Sequence, residues 1–259
     1  MNKYTTNYLI KTVLFVFLIM PIVAWGQEPD KDAKPKQWSF EVKPYLLLPY
    51  MNGNTAIKGI PVSVDANPGD IFDQLKFGGM LFLEAGTDKW AVNLDLLYMD
   101  LEADGTTPLQ SRQAEIGVTQ LGLAVSGLYN LGSGIEFGLG GRYNNISTDI
   151  TIAPGEYILP GTDFSMSESW FDPLLIARLN KEFAPDWRFG LWVDAGGFGV
   201  GSDFAWQIHP DIGYSFSELF ELAFSWRWIG MDYDTGSGTE RFAYDMIISG
   251  PAFLLSFNF

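Results

Sequence analysis

The sequence predicts an all-β chain: a transmembrane antiparallel up-and-down β-barrel of about ten strands, with eight or twelve as the alternatives. Three observations predict it. Apolar and polar residues alternate singly along many segments, which is the period of an extended strand. Short turns and longer connections alternate between those segments, as in a barrel with turns at one membrane face and loops at the other. Beyond residue 26, no apolar run reaches the ~20 residues that a membrane-spanning helix needs.

Residues 1–26 read as a cleaved signal peptide. Lys3 and Lys11 precede the apolar run "VLFVFLIMPIVAW", and Ala24 and Gly26 are small residues spaced for signal peptidase, which places cleavage before Gln27. A single membrane anchor is the alternative, for which the run is short. Residues 27–37, "QEPDKDAKPKQ", are charged and contain two prolines, and read as a flexible periplasmic lead-in. Residues 38–259 read as one domain, the outer-membrane barrel.

Within it the strands are expected at about 38–50, 75–86, 90–102, 115–131, 135–149, 167–183, 187–199, 204–216, 219–234 and 241–259. In "WAVNLDLLYMD", Trp90, Val92, Leu94, Leu96 and Tyr98 share a face opposite Asn93 and Asp95. "WRFGLWVDAG" sets Trp187, Phe189, Leu191 and Val193 against Arg188 and Asp194, and "FELAFSWRW" sets Phe220, Leu222, Phe224 and Trp226 against Glu221 and Arg227. "GTDK", "GSG", "APD" and "SE" are the short turns; 51–74, 103–114 and 150–166 are the long connections. Most segments exceed the about 9–11 residues a tilted strand needs to cross a bilayer. An even count returns both ends of the barrel to one side.

One face carries few charges. The other gathers Glu41, Lys43, Lys76, Glu84, Asp95, Glu136, Arg142, Asp172, Arg178, Glu182, Arg188, Asp194, Asp211, Glu221 and Arg227, with His209 among them. In a soluble sandwich this face would meet water. In a barrel it turns inward and forms a lumen charge network. Barrels of this size are filled by side chains, and an unpaired buried charge costs several kcal/mol. The interior charges are therefore expected to pair, either as a narrow polar path for a small solute or as a structural salt-bridge plug.

The chain has no Cys, which excludes disulfides, thiolate metal sites, Cys nucleophiles and a lipoprotein anchor. A net charge of −15 argues against a nucleic-acid partner. No cofactor and no metal are implied. "AIKGIPVSV" reads as a hairpin turning on Lys58 and Gly59, and "NPGDIFDQL" as a turn and a short helix with Asp70 as N-cap; this segment is either a lid on the barrel mouth or an ordered surface loop. His209 shares its strand face with Gln207 and Asp211. A His beside a carboxylate suits a general base, but no Ser motif accompanies it, and an ordinary interior His is the other reading. "DYDTGSGTE" offers Asp232, Asp234 and Glu240, either as weak calcium ligands or as a solvated acidic turn.

The chain ends on "PAFLLSFNF", with Phe253, Leu255, Phe257 and Phe259 on alternate residues. "FLLSFNF" resembles the last strand of Gram-negative outer-membrane β-barrels, with Phe257 and Phe259 at the paired aromatic positions that the barrel-assembly machinery reads. Where that signal has Gly five residues before the end, this chain has Leu254, and its Gly is at Gly250. Residues 38–103 look like a family of small, mostly uncharacterised outer-membrane barrels, through "VKPYLLLPYMNGN" and "DIFDQLKFGGMLFLEAGTDKWAVNLDLLYMDL". The resemblance implies location in the outer membrane, with membrane lipids and the assembly machinery as partners, and carries no activity. The expected role is passive: a porin-like narrow pore, a small-solute or ligand binder, or a structural envelope protein. An outer-membrane lipid- or peptide-modifying enzyme using His209 is the rival reading.

Overall fold

The computed structural model describes residues 38–106, 113–154 and 161–259. The expected signal peptide and lead-in lie outside the described residues. Twelve strands and one short α-helix are described: β1 (Ser39–Leu47), β2 (Tyr50–Ile57), β3 (Ile60–Ala66), α1 (Pro68–Asp73), β4 (Leu75–Gly86), β5 (Trp90–Thr106), β6 (Gln113–Gly132), β7 (Ile135–Ile152), β8 (Thr162–Ala184), β9 (Trp187–Gly197), β10 (Phe204–Ser217), β11 (Phe220–Thr235) and β12 (Phe242–Asn258).

Ten of these close on themselves. β1 pairs antiparallel with β4, β4 through β12 pair in sequence order, and β12 pairs back with β1 to seal the cylinder. The result is an antiparallel up-and-down barrel of ten strands, with β2 and β3 outside the closed wall. Closure removes the unpaired strand edges that an open sheet leaves exposed. The first expected strand, 38–50, is interrupted: Pro44 and Pro49 offer no N–H to a ladder. β1 ends at Leu47, and β2 resumes along the upper part of β12, with Tyr50 opposite Ser249 and Ile57 opposite Phe242.

The β2–β3 hairpin turns where the sequence indicates. Ile57 faces Ile60, and Lys58 and Gly59 adopt φ of 51° and 74°. Two consecutive positive φ values make the tight turn that matches strand twist. The helix also forms, but with a different cap. Asn67, not Asp70, is the N-cap: its side chain accepts from the Gly69 and Asp70 backbone N–H groups. Asp70 is the third helical residue, and its carboxylate accepts from the Asn67 N–H at 3.0 Å, closing a capping box.

The outward face is apolar. Phe40, Phe137, Leu139, Phe171, Leu175, Ile212, Phe224, Phe253 and Leu255 are all exposed. At the end bearing the short turns, aromatic rings form an outward chain: Phe183, Trp187, Tyr214, Phe216, Phe220 and Phe257, each with its neighbour's ring centre 4.8–6.4 Å away. Soluble proteins rarely expose so continuous an apolar surface, and aromatic girdles mark the edges of the lipid-facing band in membrane barrels.

Candidate functional site in the lumen

The inward residues are the odd positions of β1, β5, β10 and β11 and the even positions of β4, β6, β7, β8, β9 and β12, as burial along each strand records. They build two different storeys. At the turn end lies a polar chamber of about 330 Å³, within the range of small-molecule pockets. Its lower boundary reaches Ser39, Asn180 and Asn258 near the turns and the chain end. Among its walls are Glu41, Lys43, Glu84, Asp95, Arg142, Arg178, Arg188, Asp194, His209, Asp211, Glu221 and Arg227.

Each interior cation has an acidic partner. Lys43 Nζ lies 3.1 Å from Glu41. Arg178 donates to both Glu84 and Glu136, bridging β8 to β4 and β7. Arg188 holds Asp211 at 2.7 Å and Glu221 at 2.6 Å. Arg142 donates to Asp194 at 3.0 Å. Arg227 donates to Asp95, to the Tyr45 hydroxyl at 2.7 Å and to Gln207 at 2.8 Å. Tyr45 in turn donates to Asp95 at 2.7 Å. Gln207 Oε1 also accepts from Arg142 at 3.3 Å, so one amide oxygen links two guanidinium groups across the chamber roof. Such links join strands that are not neighbours and brace the cylinder from within.

Three of the expected residues sit elsewhere. Glu182 is exposed beside the β8–β9 turn. Lys76 lies at the loop end with half its side chain exposed, paired with Glu102 rather than with an interior group. Alternation gives a residue its face; it does not give its height, and Lys76 stands above the sealed interior. Asp172 is buried above the chamber and pairs with no cation among the described residues. It accepts from Asn144 Nδ2 at 3.1 Å, Trp170 Nε1 at 3.1 Å, and Ser202 through both its backbone N–H and hydroxyl. His209 lines the chamber, and its Nε2 has no hydrogen-bond partner among the described residues. Asn93 Oδ1, Arg142 Nη1 and Arg227 Nε, in the same walls, are also unpartnered.

The second storey was missed by the sequence reading. Toward the loop end the interior turns apolar: Ile146, Trp170, Ile229, Met231, Phe242, Tyr244, Met246 and Ile248 are buried in one packed cluster. Trp170 stacks on Tyr233 with ring centres 4.3 Å apart and planes 8° from parallel. Met51 and Val64 of the β2–β3 hairpin pack against this cluster, and Lys58 at the hairpin tip sits 3.9 Å over the Phe164 ring. The segment expected as a lid or a surface loop thus contributes to closing the mouth. The signal was present in the strands themselves. The inward series of β11 runs Glu221, Ala223, Ser225, Arg227, then Ile229, Met231 and Tyr233.

No family model and no curated protein matches the chain. Solved structures similar to it include the translocator domain of the autotransporter NalP from Neisseria meningitidis, at 10% identity over 98% of each chain with a TM-score of 0.47. The outer membrane protease OmpT from Escherichia coli is 8% identical, covering 89% of this chain and 99% of that one, with a TM-score of 0.44. Ail, the attachment invasion locus protein of Yersinia pestis, is 8% identical, covering 86% and 99%, with a TM-score of 0.38. Likeness at this level concerns barrel architecture alone; what this chain does has to be read from its own residues.

Proposed function

We propose that the chain is an integral outer-membrane β-barrel that holds a small polar ligand in a one-ended chamber and does not conduct. The division of the lumen carries this reading. A porin-like path needs an open polar way from mouth to mouth, and here the chamber ends at Arg142 and Arg227 beneath the packed layer of Ile229, Met231, Met246 and Ile248, while the polar residues above, Gln120, Asn144 and Asp172, are buried and hydrogen-bonded to their neighbours. The chamber volume and the unpartnered polar atoms in its walls support a ligand role over a solid salt-bridge plug. The outward apolar band and aromatic chain support placement in a bilayer. The terminal strand and the expected signal peptide support the outer membrane, with the turn end facing the periplasm.

Purified protein reconstituted in planar bilayers tests this. Electrically silent insertion of folded protein is expected, and native mass spectrometry of protein released from detergent is expected to find a bound small molecule. Single-channel conductance steps from the unaltered protein would overturn the closed-lumen reading.

A further inference from the structure

Beside β1 the barrel wall is open toward the loop end, as it is beside Thr162–Pro173 of β8, which pairs with β7 alone. β1 pairs with β4 only from Ser39 opposite Gly86 to Pro44 opposite Leu81. Above that point β1 and β2 stay on β12, while β4 continues upward on β5 from Met80 to Leu75. No described strand pairs with Leu75–Met80 on the side away from β5. Across this gap the Leu47 N–H finds only the Met80 thioether, at 3.4 Å. A lipid-facing wall with unpaired backbone is costly unless something covers it.

What lies there is α1. Its Ile71 is 4% exposed, and Ile71 and Phe72 share an apolar pocket of about 70 Å³ with residues of both strands. That pocket is lined from both faces of the wall: by outward-facing Leu46 and Tyr98 and by inward-facing Leu47, Met80 and Met99. A pocket with both kinds of lining exists only where a wall is open. Gly78 and Gly79 leave room in it, since a β-carbon at Gly78 would meet nothing nearer than 3.6 Å.

A second observation points the same way. Six methionines follow residue 37, and all lie in this upper interior. Met231 and Met246 are buried in the apolar cluster, Met51, Met80 and Met166 pack against it, and Met99 is buried at the gap. Methionine is unbranched and polarizable, and surfaces built from it reshape around varied apolar ligands. A layer that served only to seal the barrel would be better specified by Leu and Ile.

We infer that the β1–β4 gap is a lateral binding site for the acyl chain of a membrane lipid. The chain enters from the bilayer beside Leu46 and Tyr98, displaces the Ile71 side of α1, and lies against Met80 and Met99 at the edge of the methionine layer. Its chemistry is pure hydrocarbon, because no charged side chain lines the pocket. The inference rests on the bilayer placement above and goes beyond the polar chamber, which lies in the other storey.

Full-length protein in liposomes containing a phospholipid with a diazirine on its acyl chain tests it, with adducts located by proteolysis and mass spectrometry. Adducts are expected at inward-facing Leu47, Met80 or Met99 as well as at outward residues such as Leu175 on β8. Gly78→Leu, which fills the pocket, is expected to abolish the inward adducts and keep those on Leu175. Labelling confined to outward residues in the unaltered protein would overturn the lateral site while leaving the membrane reading intact. An absence of labelling even at Leu175 would overturn both.

Discussion

Asp172 and Ser202 are joined twice: the Ser202 backbone N–H donates to Oδ1 at 2.7 Å, and its hydroxyl donates to Oδ2 at 3.0 Å. Both residues have no exposed surface. The pair ties the β9–β10 connection to the inner wall of β8. That connection begins with Phe198 at a φ of 52°, a backbone region that a bulky side chain does not favour. The buried carboxylate is the local anchor that offsets this strain.

Asp172→Ala is therefore expected to destabilise the protein by about 3 kcal/mol, since it leaves several buried donors without an acceptor. Ser202→Ala, which removes one bond and keeps the backbone donor, should cost about 1 kcal/mol. Urea unfolding followed by tryptophan fluorescence in lipid vesicles measures both. Equal costs for the two variants would show that Asp172 is not the anchor.

Arg227 is the busiest group of the chamber roof. Removing its charge as Arg227→Met leaves Asp95 buried beside Tyr45 without its cation, a loss expected to cost about 3–5 kcal/mol. Adding Asp95→Leu should recover most of that loss, because a neutral pair is easily buried. A double-mutant cycle on unfolding free energies reads the coupling. Additive costs would mean that the two residues do not act as a pair.

The lipid-facing band makes a prediction that depends on depth. Phe224 faces Phe253 across β11 and β12, with ring centres 5.5 Å apart on the outward side. Phe224→Arg should cost about 2–4 kcal/mol of folding free energy in bilayers, as charges do near the midplane. Asp234 and Arg241, an exposed pair at the loop end with side chains 42% and 45% accessible, should behave differently. Asp234→Ala is expected to cost less than about 1 kcal/mol, the ordinary worth of a surface ion pair. Comparable costs at the two places would contradict a bilayer around Phe224.

Two outward glycines on the wall, Gly141 and Gly230, lie under aromatic rings, those of Phe171 and Trp206. A β-carbon at Gly230 would come within 2.1 Å of the Trp206 indole, whose strand position lies directly opposite. Gly230→Val must push that ring away, and a cost of about 1–3 kcal/mol is expected, as for other overpacked sites. Trp206→Ala in the Gly230→Val background should relieve part of it. Refolding yield into vesicles and urea midpoints give the comparison.

Much of this molecule is legible in its sequence because a strand has a period of two. Alternation placed Glu221, Arg227 and Asp194 inside and Phe224 and Leu255 outside, and turn chemistry placed the Lys58–Gly59 hairpin. Partnership was not legible. Arg227 meets Asp95, 132 residues away, because strand stagger and barrel curvature bring β11 opposite β5 at that height. Nothing local encodes such a meeting. The change from polar to apolar along the inward series of β11 and β12 was readable, yet it acquires meaning only when all ten strands are set at common heights. The break between β1 and β4 follows from two prolines whose effect depends on which neighbour each strand keeps.

The junction of β1 with β4 joins only the run from Ser39 to Pro44, whereas β6 and β7 are joined along nearly their whole length. Under tension a cylinder parts at a short row of stitches. Pulled by the end of the chain that precedes Ser39, this one should unzip first along β4, and deuterium should reach the amides of Val42 to Leu47 well before those of β6.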